Sequence, residues 1–319
     1  MDASISADRI REAAAVIDPV FLHTPQFVSE PLSARLRVTT LLKVETVNPI
    51  RSFKGRGTSY LLHRLNAELD ERPLVCASAG NFGQGMAFAC RWPRRRLTVF
   101  AAEKASPLKV RRIRELGAEV VLEGEDFDQA KDTAKRYAEA NGELFIEDGH
   151  IGAIAEGAGT IGLELTHQTE PSLDAIIVPL GNGSLVNGVG TWLKRHSPKT
   201  QVIAVCAHEA PSMALSFESR RPIDAPSASI ADGIAVRVPV PAAVDAMRHA
   251  VDEVMLVTDD EMLEAMRALH FDAGLVIEPS GAAGVAAIAR NAERFQGMRV
   301  ATVLTGGNLT EQQTRDWLY

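Results

Sequence analysis

The sequence predicts an α/β fold of two doubly wound parallel-sheet domains, and three observations carry that expectation. Short β-branched or apolar runs alternate with longer amphipathic segments along most of the chain. Runs such as Ile176-Ile177-Val178 are apolar without polar alternation, which suits strands covered on both faces. Glycine-rich turns follow several of the runs, and open α/β sheets gather ligands at those strand ends.

Taken in order, the first strand candidate is Thr39–Val44, and Pro49 closes the segment after it. An amphipathic helix, Lys54–Leu69, comes next. Leu74–Ala77, Leu97–Ala101 and Glu119–Leu122 are then separated or followed by helical patterns, including Pro107–Leu116 and Phe127–Asn141. Turn signals at Asn141-Gly142 and Asp148-Gly149 mark a crossing between lobes. The strands resume with Ala175–Pro179, Gln201–Cys206 and Glu253–Val257, and the helix Asp259–Ala273 leads to a last strand, Arg299–Leu304. The expected division is a small domain over 73–150, with 1–72 and 151–319 forming a larger one. The basic run Arg91–Arg96 reads as a solvated loop before a strand rather than an anion site.

Composition narrows the function. The 319 residues are 46% hydrophobic and 24% charged, a balance that excludes disorder, collagen-like repeats and disulfide-stapled miniproteins. A formal charge of -7 argues against nucleic-acid partners. Cys76, Cys90 and Cys206 are scattered and lack zinc-ligand spacing, which points to a reduced, cytoplasmic setting. No stretch approaches the roughly 20 apolar residues that span a bilayer, so no membrane role is expected. Met1–Glu12 has no apolar core and does not read as a signal peptide.

Four strand-end turns carry the chemistry. In Ser52-Phe53-Lys54, Ser52 is the expected N-cap, and Lys54 falls in the first helical turn. The positive end of the helix dipole disfavours an ammonium there, and Schiff-base chemistry needs the free amine. A surface lysine is the plain alternative. In Ser78-Ala79-Gly80-Asn81-Phe82-Gly83-Gln84, glycines permit a tight turn while Ser78, Asn81 and Gln84 offer donors to a carboxylate. Helix capping by Asn81 is the alternative. Gly181-Asn182-Gly183-Ser184-Leu185 opens a helix with successive amides, a cradle for a phosphate, but matches neither the P-loop nor the dinucleotide fingerprint. Thr305-Gly306-Gly307-Asn308 follows the last strand, where paired glycines let a flat ring lie against the backbone or simply turn the chain.

Together, in this order and spacing, the four turns resemble the serine/threonine dehydratase family, pyridoxal 5'-phosphate enzymes of the tryptophan-synthase β-like fold. Ala231-Asp232-Gly233-Ile234-Ala235 and Ile277-Glu278-Pro279-Ser280-Gly281 also look like family segments. The resemblance implies that Lys54 is the catalytic residue that carries the cofactor and acts as base. It implies that Gly181, Asn182, Gly183, Ser184 and Leu185 hold the phosphate and that Asn81 meets the ring hydroxyl. Thr305 would face the ring nitrogen, Glu278 would tune the site, and Ser78, Asn81 and Gln84 would bind the substrate carboxylate. The implied reaction is β-elimination from threonine, serine or a related β-hydroxy amino acid, giving a 2-oxo acid and ammonia in a homodimer.

The sequence departs from the family pattern in several places. Phe82 replaces a common histidine, Asn182 and Ser184 interrupt the glycine loop, and Ala79 stands where related racemases carry a second serine. Glu209 matches the first ligand of a cation site found in many relatives, but Leu215 falls at the last, so no metal is expected. Asp224 and Asp232 are the carboxylates that would contradict this. Only Leu309–Tyr319 follow the last motif, so no appended regulatory domain is expected. β-Replacement, racemisation and a cofactor-binding sensor without turnover are the competing readings.

Overall fold

A computed structural model describes residues 2–92, 94–168 and 172–319. Its strands are β1 (Gln26–Val28), β2 (Thr39–Val44), β3 (Leu74–Ala77), β4 (Leu97–Ala101), β5 (Glu119–Leu122), β6 (Leu144–Ile146), β7 (Ala175–Pro179), β8 (Gln201–Ala207), β9 (Glu253–Val257) and β10 (Arg299–Leu304). Its helices are α1 (Ala7–Val16), α2 (Glu30–Leu36), α3 (Lys54–Ala67), α4 (Asn81–Cys90), α5 (Pro107–Glu115), α6 (Phe127–Asn141) and α7 (Gly152–Gln168), followed by α8 (Ser184–His196), α9 (Ser212–Ser219), α10 (Pro241–Ala250), α11 (Asp259–Ala273), α12 (Pro279–Arg290) and α13 (Glu311–Leu318).

Two sheets form. One has the order β1-β2-β10-β7-β8-β9 and the other β5-β4-β3-β6. Every pairing is parallel except β1 against β2. Strand β7 illustrates why unbroken apolar runs become central strands. Ala175 and Ile177 join the core on one face of the sheet, and Ile176 and Val178 join the core on the other. Fully burying a valine or isoleucine contributes about 1.5–3 kcal/mol, so a run apolar at every position is stable only between two layers of helices.

Several expectations are corrected. Strands β1 and β6 were not anticipated, because three residues are too few to show a period. Strand β8 runs one residue further, to Ala207, and α3 ends at Ala67. The basic run is only partly solvated. Arg95 is 5% exposed and bonds Asp70 and the Arg72 carbonyl, while Arg96 pairs with Glu143. Residue 93 of that run lies outside the described residues. All three cysteines are buried and free, and burial pushes the Cys90 and Cys206 thiols up to about 12.

Candidate active site

Sheet order explains how distant motifs meet. Strands β2, β10 and β7 are neighbours and all parallel, so their C-terminal ends lie side by side. Those ends carry the Lys54, Thr305 and Gly181 turns respectively. In the other sheet β3 and β6 are parallel neighbours, so the Ser78 turn lies beside the segment that follows Ile146. A cavity of about 600 Å³ lies where these turns converge, lined by Lys54, Ser78–Phe82, Asp148, Gly181–Leu185, Glu278 and Thr305 among others.

Lys54 opens α3, but its local geometry differs from the expectation. Phe53 occupies the N-cap position, in helical conformation and without a side-chain cap bond. Ser52 is instead fully buried, and its Oγ accepts from the Lys54 amide at 3.3 Å. The turn is stitched to the last strand: the Phe53 amide donates to the Thr305 carbonyl at 3.1 Å, and the Gly307 amide donates to the Arg51 carbonyl at 3.0 Å. The Lys54 Nζ lies 4.6 Å from the Phe53 ring centre and 5.8 Å from that of Phe82, so Phe82 does form an apolar wall. The same Nζ donates to Asp148 Oδ2 at 2.5 Å. Thus the amine meets a carboxylate that sequence reasoning had treated only as a turn signal.

The 181–185 turn has the geometry of an anion cradle. Gly183 caps α8 with φ +88°, a left-handed conformation that glycine adopts without a Cβ clash. The first turn of a helix leaves its amides without intrahelical partners, and those of α8 start at the cavity. Ser184 Oγ accepts from the Gly149 amide at 3.1 Å and donates to Asp148 Oδ1 at 2.5 Å.

Opposite, Asn81 and Glu278 form one unit. Asn81 Nδ2 donates to Glu278 Oε1 at 2.6 Å, and the Asn308 amide donates to Glu278 Oε2 at 3.0 Å. Asn308 Nδ2 also donates to Asn81 Oδ1 at 2.7 Å. Burial pushes the Glu278 carboxyl up, and the negative Asp232 adds to this against the Asn308 and Asn81 hydrogen bonds. Asn308 stood within the quoted turn, yet nothing local marked it as the brace of Asn81. Gly306 sits beneath this unit, where an added Cβ would lie 2.2 Å from Glu278 Oε1 and 2.8 Å from Asn81 Nδ2. Gly306→Ala should displace both side chains. A 1 Å error in such a site can cost about 10²-fold, so cofactor retention, read by absorbance after gel filtration, should fall sharply. Full retention would refute this account of the floor.

The remaining predicted residues are distributed unevenly. Ser78 lines the cavity, and its Oγ accepts from the Gly80 and Gly83 amides at 3.2 and 3.1 Å. It therefore shapes its own loop, with Gly80 rather than Asn81 as the N-cap of α4. Ala79 also lines the cavity. Gln84 does not. Its side chain is buried within α4, and Nε2 has no partner among the described residues. Glu209 is part-exposed after β8, Leu215 is exposed on α9, and Asp232 pairs with Lys109. Among the described residues, no group of three His, Cys, Asp or Glu side chains gathers to hold a metal.

A lysine at a helix start and a helix-terminal anion cradle, sharing one cavity between parallel sheets, fit a phosphorylated carbonyl cofactor. This defines an α/β enzyme of the pyridoxal phosphate class. The family model described as "Pyridoxal-phosphate dependent enzyme" matches residues 17–306. The L-threonine ammonia-lyase of Thermotoga maritima is 34% identical over 96% of this chain and 76% of its own length. The catabolic L-threonine dehydratase of Staphylococcus aureus is 32% identical over 96% of this chain and 89% of its own. Among solved structures, maize serine racemase superposes with a TM-score of 0.91 at 27% identity, covering 98% of this chain and 96% of that one. Threonine deaminase isoform 2 of Solanum lycopersicum gives 0.89 at 27% identity, with 98% and 89% covered. The chain belongs to the pyridoxal-phosphate-dependent enzymes, in the serine/threonine dehydratase family, and pyridoxal 5'-phosphate is its cofactor.

Proposed function

We propose that this lyase eliminates water from L-threonine, L-serine or a related β-hydroxy amino acid, releasing a 2-oxo acid and ammonia. The observation that carries the reading is the placement of the Lys54 amine in one cavity with the 181–185 cradle and the Ser78 turn. The dehydratase relatives support the same reaction. Bound pyridoxal phosphate supplies the electron sink that acidifies the substrate Cα proton.

In this reading Lys54 anchors the cofactor and then removes that proton. Gly181, Asn182, Gly183, Ser184 and Leu185 would hold the phosphate, and Asn81 and Glu278 would border the ring. Thr305 would offer the ring nitrogen a neutral hydroxyl rather than a carboxylate. Ser78 and Asn81 would border the substrate carboxylate, while Gln84 is buried on α4 and does not line the cavity. The small domain would comprise 73–150 and the large one 1–72 and 151–319, as the separate sheets suggest. We further propose a cytoplasmic homodimer; no helix among the described residues is long and apolar enough to cross a membrane.

Ala79 argues against racemisation as the main reaction, despite the racemase-like fold. A methyl group has no proton to deliver to the face opposite Lys54. The test assays a panel of β-hydroxy amino acids for ammonia, 2-oxo acid and chirality of the residual substrate. Elimination should dominate, and Ala79→Ser should raise the share of D-enantiomer. Wild-type enzyme that accumulates D-amino acid as fast as 2-oxo acid would overturn the dehydratase reading.

A further inference from the structure

We propose that Asp148 is a second catalytic residue, which passes the proton collected by Lys54 to the departing β-oxygen. The inference rests on the dehydratase reading and adds a residue to it. Among the described residues, six carboxylates line the cavity: Asp126, Asp128, Glu147, Asp148, Asp232 and Glu278. Asp126 and Asp128 are engaged by Arg237 at 3.2 and 2.6 Å. Glu147 meets Lys131 and Lys135, Asp232 meets Lys109, and Glu278 holds Asn81 and the Asn308 amide. Asp148 alone among the six contacts Lys54, through Oδ2 at 2.5 Å.

Its other oxygen is fixed. Ser184 Oγ donates to Oδ1 at 2.5 Å, and that hydroxyl is itself held by the Gly149 amide. The carboxylate is 9% exposed, so bulk water is poorly placed to compete with it. Its position comes from β6, whose parallel pairing with β3 brings residue 148 to the ligand end of the sheet. One oxygen is therefore anchored, and the other faces the amine that acts as base.

The proton count closes without any further reactant. Elimination breaks the Cα–H and Cβ–O bonds, and hydroxide is a poor leaving group unless it is protonated. Lys54 takes the Cα proton and becomes an ammonium in contact with Asp148. The carboxylate accepts that proton and delivers it to the β-oxygen, which leaves as water. Lys54 and Asp148 end as they began, and one proton has moved from carbon to oxygen.

The test compares two leaving groups in the holoenzyme. Asp148→Asn keeps the shape but cannot relay a proton, so turnover of L-serine and L-threonine should fall by about 10²-fold or more. β-Chloro-L-alanine loses chloride, which needs no proton, so its turnover should fall by less than about tenfold. Cofactor occupancy, read by absorbance, should match the wild type. Equal losses on both substrates, no loss on either, or failure to take up the cofactor would each overturn the proposal. Should that variant not fold, Asp148→Ser goes through the same comparison, and the same outcomes decide. A wild-type enzyme that releases no 2-oxo acid from any hydroxy amino acid refutes the dehydratase reading itself; an unchanged substrate ratio in the variant refutes only the role of Asp148.

Discussion

Lys54→Ala is expected to reduce turnover by about 10³-fold or more and to abolish covalent retention of the cofactor, because in the proposed mechanism one amine serves as both anchor and base. The structure supplies the reasons. Lys54 is held at a helix start by the Ser52 contact and by the backbone stitches to Thr305 and Gly307. Its Nζ lies between two phenyl rings and a carboxylate. Other lysines line the cavity, but Lys109 is tied to Asp232, and Lys131 to Asp128 and Glu147. Borohydride reduction followed by peptide mapping reads the anchor directly. Cofactor trapped on Lys104, Lys109 or Lys131 would disprove the assignment.

The largest stability effect should come from Arg56→Met. Arg56 is fully buried two residues beyond Lys54, and its guanidinium is shared between two carboxylates. It donates to Glu45 at 2.8 and 2.9 Å and to Glu164 at 2.7 and 2.9 Å, with further bonds to Thr160 and Thr24. Lys43 Nζ completes the cluster by donating to Glu164 at 2.5 Å. Burial acts to raise the Glu164 pKa, but the hydrogen bonds and charges of Arg56 and Lys43 prevail and hold it at about 2. Removing Arg56 leaves the buried Glu45 without a counter-charge and Glu164 with Lys43 alone, a loss of about 3–5 kcal/mol. A midpoint shift in denaturant reads this, and a change below about 1 kcal/mol would contradict it.

The same cluster sets an acid limb. The folded Glu164 pKa is depressed, so its contribution is complete above the ordinary value of 4.5 and is lost as pH falls toward about 2. Arg56→Met should flatten stability against pH across that window. Lysine is no substitute, because a single ammonium cannot present the planar fork that meets both carboxylates.

Much of the architecture was legible because its signals are local. An unbroken apolar run such as 175–179 declares burial on two faces, and the lengths between such runs leave room for a helix in each crossover. The turns after β2, β3, β7 and β10 announced themselves by composition. Capping was less legible: Ser52 gave way to Phe53 where backbone bonds join the turns after β2 and β10, and Asn81 gave way to Gly80 where Ser78 Oγ accepts from the loop amides. Gln84 read as a binding residue from the donors of its loop and from the family resemblance, yet its place on α4 buries it and it does not line the cavity.

The sequence by itself determined the parallel α/β class and the cofactor, and it nominated the lysine and the anion cradle proposed to hold it. Each turn is a local pattern, and the class and the cofactor follow from the order of such patterns along the chain. Only the tertiary structure brought Asp148 to Lys54 across 94 residues, Arg56 to Glu164 across 108, and Asn308 to Asn81 across 227. Such pairs depend on strand order, on register and on which helices cover which face. Those choices are made by the burial of whole layers, so no local pattern near Asp148 or Asn308 could have announced their partners.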